Sequence, residues 1–462
     1  MQFDVETDVV VVGGGGGGLV AALTAREAGA EVAILEKSER LGGNTALSSG
    51  SIPGAGTRFQ VAAGIADGWE RLAEDIHRRT RGTAPRDLVE VLARESAPLV
   101  EWLVDAVGLP LDLMADLKKV GHSVPRLHAP VGRQGQTLVT GLERAAQAAG
   151  VLISPGNPVS GLLTVPGDDG PRVVGVSVGA GDDAEGYTVG ARCVILAANG
   201  FGANRALLRR YIPEIAEAPY FGHLGNAGEA IGWAADLGAH LVNMGAYQGH
   251  ASIAQPHGAL LSWAAVERGG LLVNREGRRF VDETLGYSGC ASAVLAQPGG
   301  QGFVVYDGET HDYLAEKAED YRDLMHFGGV MRADDAATLA VRAGLDPAAL
   351  EETLADYAEA ASGARPDPFG RSAFGQAPLR PPLCLVRVTA GLFHTQGGVD
   401  VDAAGRVRCA NGAVIPNLYA VGGVAVGVSG AHGGAGYCSA NGLLAALGLG
   451  RLAGRDAARR LS

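Results

Sequence analysis

Residues 8–37 read DVVVVGGGGGGLVAALTAREAGAEVAILEK. The unbroken valines Val9 to Val12 suit a strand buried on both faces, as in a parallel sheet. A glycine turn, an amphipathic helix and a second strand ending at Glu36 complete a βαβ unit of about 30 residues. Within it Gly13, Gly15 and Gly18 have GxGxxG spacing. The first permits the tight turn, the second lets a pyrophosphate approach the backbone, and the third lets helix pack on strand. The helix aims its free N–H groups at that pyrophosphate, and Glu36 stands where a carboxylate would accept hydrogen bonds from a ribose.

The chain around this unit has 462 residues, with 38 Lys+Arg against 50 Asp+Glu and a formal net charge of −12. That length predicts two or three domains, and the acidic balance argues against a nucleic-acid or anionic-membrane partner. Glycine supplies 71 residues, roughly twice average usage. No three-residue period accompanies it, and 47% apolar content is enough for a sizeable core, which excludes collagen and low-complexity disorder. Such an excess means backbone passing close to a ligand or turning sharply at many places. Cys193, Cys290, Cys384, Cys409 and Cys438 are scattered, without a CxxC pair, so a reduced, cytoplasmic setting is expected. The N-terminal MQFDVETDVVVVGG carries acids where a signal peptide has bases. No run approaches the roughly 20 apolar residues of a membrane helix, so no membrane partner is expected.

Farther along, residues 82–150 show helical periodicity, and Arg172 to Val194 alternates as strands, with GDDG (167–170) and GAGDDAEG (179–186) as turns. VILAANGFGAN (194–204) is an apolar strand entering a second glycine loop, and residues 226–240 read as a helix. The texture changes over 245–390, with strands GLLVN, GRRFVDE and GFVVYD, helices AATLAVRAG and PAALEETLADYAEAA, and a loop at 360–382. From 391 the first texture returns: a GGVDVDAAGRV hairpin, the strand NLYAVGG, and a glycine loop entering the final helix. The expected fold class is α/β, a Rossmann-like nucleotide domain formed by 1–244 and 391–462 with an α+β cap, 245–390, inserted between them.

These segments, in this order over almost the whole chain, resemble the flavoprotein family of fumarate reductases, succinate dehydrogenase flavoprotein subunits and 3-ketosteroid dehydrogenases. The carrying pieces are the N-terminal βαβ unit, GGNTALSSGSIPG (42–54), GHSVPR (121–126), VILAANGFGAN, GNAGEAIGWA (225–234), GRRFVDE (277–283), HTQGGV (394–399) and the C-terminal NLYAVGG with GGAG. The resemblance implies FAD in a glutathione-reductase-type domain, a cap over the flavin, and redox chemistry at a carbon–carbon bond beside a carbonyl or carboxylate. It assigns FAD contacts to Gly13, Gly15, Gly18, Glu36, Lys37, Gly43, Asn44, Thr45, Ser49, Gly50, Ala198, Gly200, Asn226, Gly422, Gly434, Gly436 and Ser439. The backbone N–H groups around Gly434 to Gly436, at the start of the last helix, suit negative charge on reduced flavin. No histidine lies near Asn44 to Ser49, so the FAD is expected to be non-covalent. Gly423 stands where many relatives carry the glutamate of an AGE motif.

Fumarate reductases of this family grip a dicarboxylate with two histidines and two arginines, one of which delivers the proton through a Glu–Arg relay. His250 and His394 match the histidines. The arginines are replaced by Tyr287 and Ala431, and the relay positions fall near Trp263 and Val266. A tyrosine after the RRFVNE-like strand resembles the ketosteroid-dehydrogenase branch, in which it serves as acid/base at the α-carbon. To desaturate a ketone, a base takes the α-proton while hydride leaves the β-carbon for the flavin, and the enolate-like charge needs donors. A phenol with an ordinary pKa near 10 needs help from a donor or a cation; His250 or His394 could supply it, or could instead hold the substrate's carbonyl or carboxylate.

The expected activity is therefore FAD-dependent formation of a C=C bond α,β to the carbonyl of a cyclic ketone or oxo-acid, with catalytic Tyr287, His394 and His250. An external acceptor or oxygen would take the electrons. The alternative is an ene-reductase of an unsaturated carboxylate or enone fed by an external donor; a flavin-binding sensor or assembly module is the non-enzymatic alternative. His432 and Tyr437 are expected near the flavin edge, His122 and Arg126 as loop anchors or access residues, and Tyr419 as core. No metal site is expected, since the histidines lack ligand spacing.

Overall fold

A computed structural model describes residues 2–116, 118–167, 170–179 and 186–461, in two compact units. The first comprises Met1–Ile212, Gly222–Tyr247 and His394–Ser462; the second comprises Pro213–Phe221 and Gln248–Phe393.

The first unit is organised on an eight-stranded sheet. Its parallel centre runs Val414–Ala420, Tyr187–Leu196, Val5–Val12, Val32–Leu35, Leu152–Ser154. Val9, Val10 and Val11 are completely buried, as central parallel strands demand. Antiparallel strands Arg172–Val178 and Val159–Val165 extend from Tyr187–Leu196. The turns anticipated at 168–169 and 180–185 lie outside the described residues.

The first helix, Gly16–Glu27, packs on the last, Asn441–Arg459, with the two backbones in contact. A Cβ on Gly450 would come within 2.5 Å of the Gly17 carbonyl oxygen, and one on Gly454 within 2.3 Å of that of Ala21. Only glycine lets two helices approach this closely.

Two sequence expectations need correction in this unit. Helical periodicity holds in Arg86–Asp105 and Gly135–Ala148, but the intervening chain forms antiparallel strands Leu111–Leu113 and Leu127–Pro130, paired with Ile52–Pro53. The last helix begins at Asn441 and not at the GGAG glycines, which lie in turns closed by Ala435 N–H to His432 O and Tyr437 N–H to Gly434 O.

The second unit is built on a five-stranded sheet whose path runs Tyr247–Ala254, Leu383–Thr395, Gln301–Asp307, Leu271–Val273, with Met331–Ala333 also paired to Leu383–Thr395. Leu271, Phe303, Val305, Leu339, Leu350, Tyr357 and Leu385 are the centre of its core. Pro213–Phe221 groups with this unit because Phe221 N–H donates to Leu392 O, Leu392 N–H donates to Pro219 O, and the rings of Phe221 and Phe393 stack 5.5 Å apart.

The segment GRRFVDE is not the expected strand; Arg279 makes one bridge to Val273 and the chain then bends. Its charged side chains turn inward instead. Arg279 donates to Glu283 and Asp367, while Arg371 pairs with Glu283 at 3.2 Å and donates to the Gly270 and Val266 carbonyls. Buried charges of this kind persist only when paired and hydrogen-bonded throughout.

Candidate active site

In the first unit, the turn after the first strand is locked from several sides. Glu36 accepts from Gly14 N–H at 2.7 Å and Ser38 N–H at 2.8 Å, so its carboxylate first of all fixes the glycine turn. Thr45 Oγ1 accepts from Gly16 N–H at 3.1 Å. Asn44 Oδ1 accepts from His223 N–H and from the Asn226 amide, and Lys37 pairs with Glu229 at 2.7 Å. Ser49 shares a hydrogen bond with Ser51, and Gly50 N–H donates to Ser48 Oγ.

The glycines divide by geometry. Gly13, at φ +109°, would place a Cβ 2.6 Å from Ala197 O, and Gly18 would place one 2.0 Å from Gly13 O. Gly200 makes room for Thr395 Oγ1 and Gly436 for Ser429 O. At Gly423, a Cβ would meet Asn199 Oδ1 at 2.2 Å; the Asn199 side chain, folded onto Gly200 N–H, fills the space a side chain at 423 needs. By contrast, a Cβ on Gly15 would meet nothing closer than 3.8 Å, and one on Gly43 nothing within 4 Å. Bare backbone facing open space is what a phosphate-bearing ligand requires. Asn441, the first residue of the last helix, is fully buried with neither amide atom hydrogen-bonded. These features fit an extended dinucleotide: Gly15 and Gly43 for its phosphates, and the first turn of the last helix for a polar, electron-rich edge.

His394 belongs to this unit. Gln396 Oε1 accepts the Ser429 hydroxyl, leaving its amide nitrogen 3.1 Å from His394 Nδ1. Nδ1 thus has two neighbours of opposite kind, the Gln396 amide, which only donates, and the Thr395 carbonyl at 3.3 Å, which only accepts, so either neutral tautomer finds a partner there. The opposite edge packs on the last helix: a Cβ on Gly442 would lie 3.0 Å from both Cε1 and Nε2. Tyr437 meets the same ring edge-on at 5.8 Å. Desolvation holds the His394 pKa down to about 4, and the ring is neutral at physiological pH. His432 is exposed.

In the second unit, strand Tyr247–Ala254 carries His250 and the one-turn helix Gly286–Gly289 carries Tyr287. Gly249 N–H donates to Ser288 Oγ at 3.0 Å, fastening that turn to the strand. The His250 and Tyr287 rings stack, with centroids 4.7 Å apart and planes at 15°. Trp263 stands edge-on to both, and Phe393 lies 5.9 Å from His250. Burial pushes the His250 pKa down to about 3. Neither histidine is the cation allowed for from sequence; each is a neutral group able to donate or accept a hydrogen bond. The structure thus brings His250 and Tyr287 together in one unit and sets His394 beside the last helix in the other.

Two partners escaped the sequence reading. Gln396 and Ser252, the latter with Oγ 3.2 Å from His250 Nδ1, each sit two residues beyond a histidine on a strand. Ser252 shares a strand face with His250, a signal the sequence carries, whereas Gln396 lies just past the strand that ends at Thr395. Among the described residues, no group of three or more His, Cys, Asp or Glu side chains could hold a metal, and no helix is long and apolar enough to cross a membrane.

The fold and the phosphate-ready turns define an FAD-dependent flavoprotein oxidoreductase. The chain belongs to the family described as FAD binding domain, whose model matches residues 8–439. It is 30% identical over 442 residues to a probable fumarate reductase of Shewanella frigidimarina, covering 95% of this chain and 72% of that one. It is 32% identical over 462 residues to the NADH:fumarate oxidoreductase of Klebsiella pneumoniae, covering 98% of this chain but 48%, about half, of that protein. Its fold matches the 3-ketosteroid-Δ4-(5α)-dehydrogenase of Rhodococcus jostii in complex with 4-androstene-3,17-dione with a TM-score of 0.80 and 27% identity, covering 99% and 98% of the two chains.

Proposed function

We propose that this flavoprotein introduces a C=C bond α,β to the carbonyl of a cyclic ketone or oxo-acid. The observation that carries the reading is the stacked pair of Tyr287 and His250, a phenol against a neutral imidazole, edged by Trp263. FAD, when bound, would supply the two-electron acceptor for the hydride that leaves the β-carbon. Tyr287 acts as the phenolate, its own proton having passed to solvent beforehand; its oxygen takes the α-proton and becomes the phenol, so one C–H bond yields a proton, the other a hydride, and the electron pair of the first C–H bond becomes the carbon–carbon π bond. His250 and His394, both neutral and desolvated, are the hydrogen-bonding groups offered to the substrate's carbonyl and its enolate-like charge.

A dicarboxylate is a poor fit to this reading, since Tyr287 and Ala431 stand at the arginine positions of the fumarate-reductase pattern and Trp263 and Val266 at its relay. The cyclic steroid bound by the Rhodococcus dehydrogenase supports a ring substrate. An external acceptor or oxygen reoxidises the enzyme. The free thiols of all five cysteines, four of them buried, support a cytoplasmic setting.

The test is anaerobic mixing of oxidised holoenzyme with a panel of cyclic ketones and oxo-acids. Bleaching of the flavin with formation of the unsaturated product is expected; no bleaching by any member would overturn the reading. The second reading, reduction of an enone or unsaturated carboxylate by an external donor, is favoured by the reductase names of the curated relatives. Reoxidation of the reduced enzyme by such compounds, with no bleaching by their saturated forms, would establish it.

A further inference from the structure

The segment Val120–Arg126 takes no part in the chemistry proposed above, yet it contains a fully buried charge. Arg126, 1% exposed, donates to Asp67 at 2.9 and 3.1 Å, to Asp75 at 2.8 Å and to His122 Nδ1 at 3.3 Å. Asp75 also accepts from the N–H and hydroxyl of Ser123, both at 2.8 Å. A guanidinium offers only donors, so His122 Nδ1 must accept and the imidazole proton is forced onto Nε2. That Nε2–H donates to the Ser439 carbonyl at 2.8 Å. Burial, reinforced by the Arg126 charge, holds the His122 pKa down to about 4, so the tautomer persists at neutral pH.

Ser439 is gripped from its other side as well, its N–H donating to Val120 O at 3.0 Å. Gly121, between the two anchoring residues, has no room for a side chain: a Cβ would lie 2.6 Å from Cys438 Sγ. Immediately after Ser439 stands Ala440 at φ 69°, ψ 7°, a left-handed conformation that costs a non-glycine residue free energy and persists only where its surroundings impose it. The last helix starts at the next residue, Asn441.

We propose that His122 is a positioning residue for the flavin: with its tautomer fixed by Arg126 and the two aspartates, it pins the Ser439 carbonyl, holds Ala440 left-handed and so fixes the first turn of the last helix. This rests on the reading that this first turn serves the electron-rich edge of the flavin. Its N–H groups then favour the reduced, negatively charged cofactor, and loosening the turn weakens that preference.

The experiment measures the two-electron midpoint potential of FAD in purified holoenzyme by equilibration with reference dyes. His122→Phe keeps the volume and removes the donor; it is expected to lower the preference for reduced flavin roughly tenfold, about 30 mV for a two-electron couple. In the pair His122→Gln and His122→Asn, the glutamine amide reaches the Nε2 position and the asparagine amide stops near Nδ1. The glutamine variant is expected to keep the wild-type potential and the asparagine variant to shift like phenylalanine, which decides the matter even if the phenylalanine variant does not fold. Equal potentials for wild type, His122→Gln and His122→Asn overturn the proposal. Asn441→Asp separates the proposal from the reading beneath it. If that variant lowers the potential while the His122 variants do not, the helix serves the flavin and His122 does not position it; if none of them moves the potential, the helix reading fails and the proposal with it.

Discussion

The phenol of Tyr287 lies ring on ring with the imidazole of His250, the centroids 4.7 Å apart and the planes within 15° of parallel. The stack is made by the two ring faces, so a phenylalanine at 287 keeps that contact. Tyr287→Phe is expected to retain FAD and thermal stability while losing about 10²- to 10⁴-fold in turnover, the usual contribution of a positioned acid/base. Steady-state rates beside flavin absorbance of the purified variant check this; near-wild-type turnover would assign the base elsewhere.

His394 depends on an absent side chain. With Cε1 and Nε2 both 3.0 Å from where a Cβ of residue 442 would be, Gly442→Ala forces the ring to shift. A loss of about 1–3 kcal/mol in stability, typical of overpacking, is expected together with a fall in kcat. Gln396→Ala, which removes the amide beside Nδ1, is expected to lower kcat with a smaller loss of stability. Parallel melting curves and rates would separate the two effects.

Acid should weaken the fold through its histidines. His122, His128 and His394 are held down to about 4 and His250 to about 3, in each case chiefly by desolvation. Between the ordinary histidine value near 6.5 and those lowered values, the unfolded chain binds protons that the native chain refuses. Stability is therefore fully present above about pH 6.5 and declines as pH falls toward 4, each group contributing up to about 1.4 kcal/mol per pH unit. Urea midpoints at pH 7.5, 6 and 5 should decrease in that order, and the rate profile should lack a limb near 6.5 from His250 or His394.

Asn199 and Gly423 compete for one space. Gly423→Ala should destabilise the holoenzyme, since its Cβ would meet Asn199 Oδ1 at 2.2 Å and Gly200 N at 2.7 Å. Adding Asn199→Gly, at a backbone φ of 64° that glycine adopts freely, should recover the side-chain part of that loss. The coupling measured in a double-mutant cycle should be of order 1 kcal/mol, as for residues in contact; simple additivity would contradict the shared space.

The nucleotide-binding turn was legible because its signals are local: four valines, three spaced glycines and a carboxylate at the end of the second strand. The start of the last helix was misread for a related reason. Glycine clustering at Gly433 to Gly436 resembles a phosphate turn, whereas the helix starts after Ala440, left-handed and next to Ser439, whose backbone hydrogen-bonds to distant Val120 and His122. The bend in GRRFVDE was illegible for want of its partners, Asp367 and Arg371, more than eighty residues on. His250 and Tyr287 were each nameable from sequence. Their stacking, the crossing of Trp263 and the desolvation that keeps both histidines neutral come from long-range packing.

The touching backbones of the first and last helices carry a consequence for biosynthesis. Gly17 and Ala21 are synthesised more than 400 residues before Gly450 and Gly454, and their carbonyls stay uncovered until those glycines arrive. In the interval the strands of the second unit can pair among themselves, while the nucleotide-binding turn exists only as a sheet lacking its neighbouring helix. Cofactor capture is thereby tied to synthesis of helix Asn441–Arg459, and a nascent or truncated product ending before Asn441 would present the glycine turn without the helix that backs it.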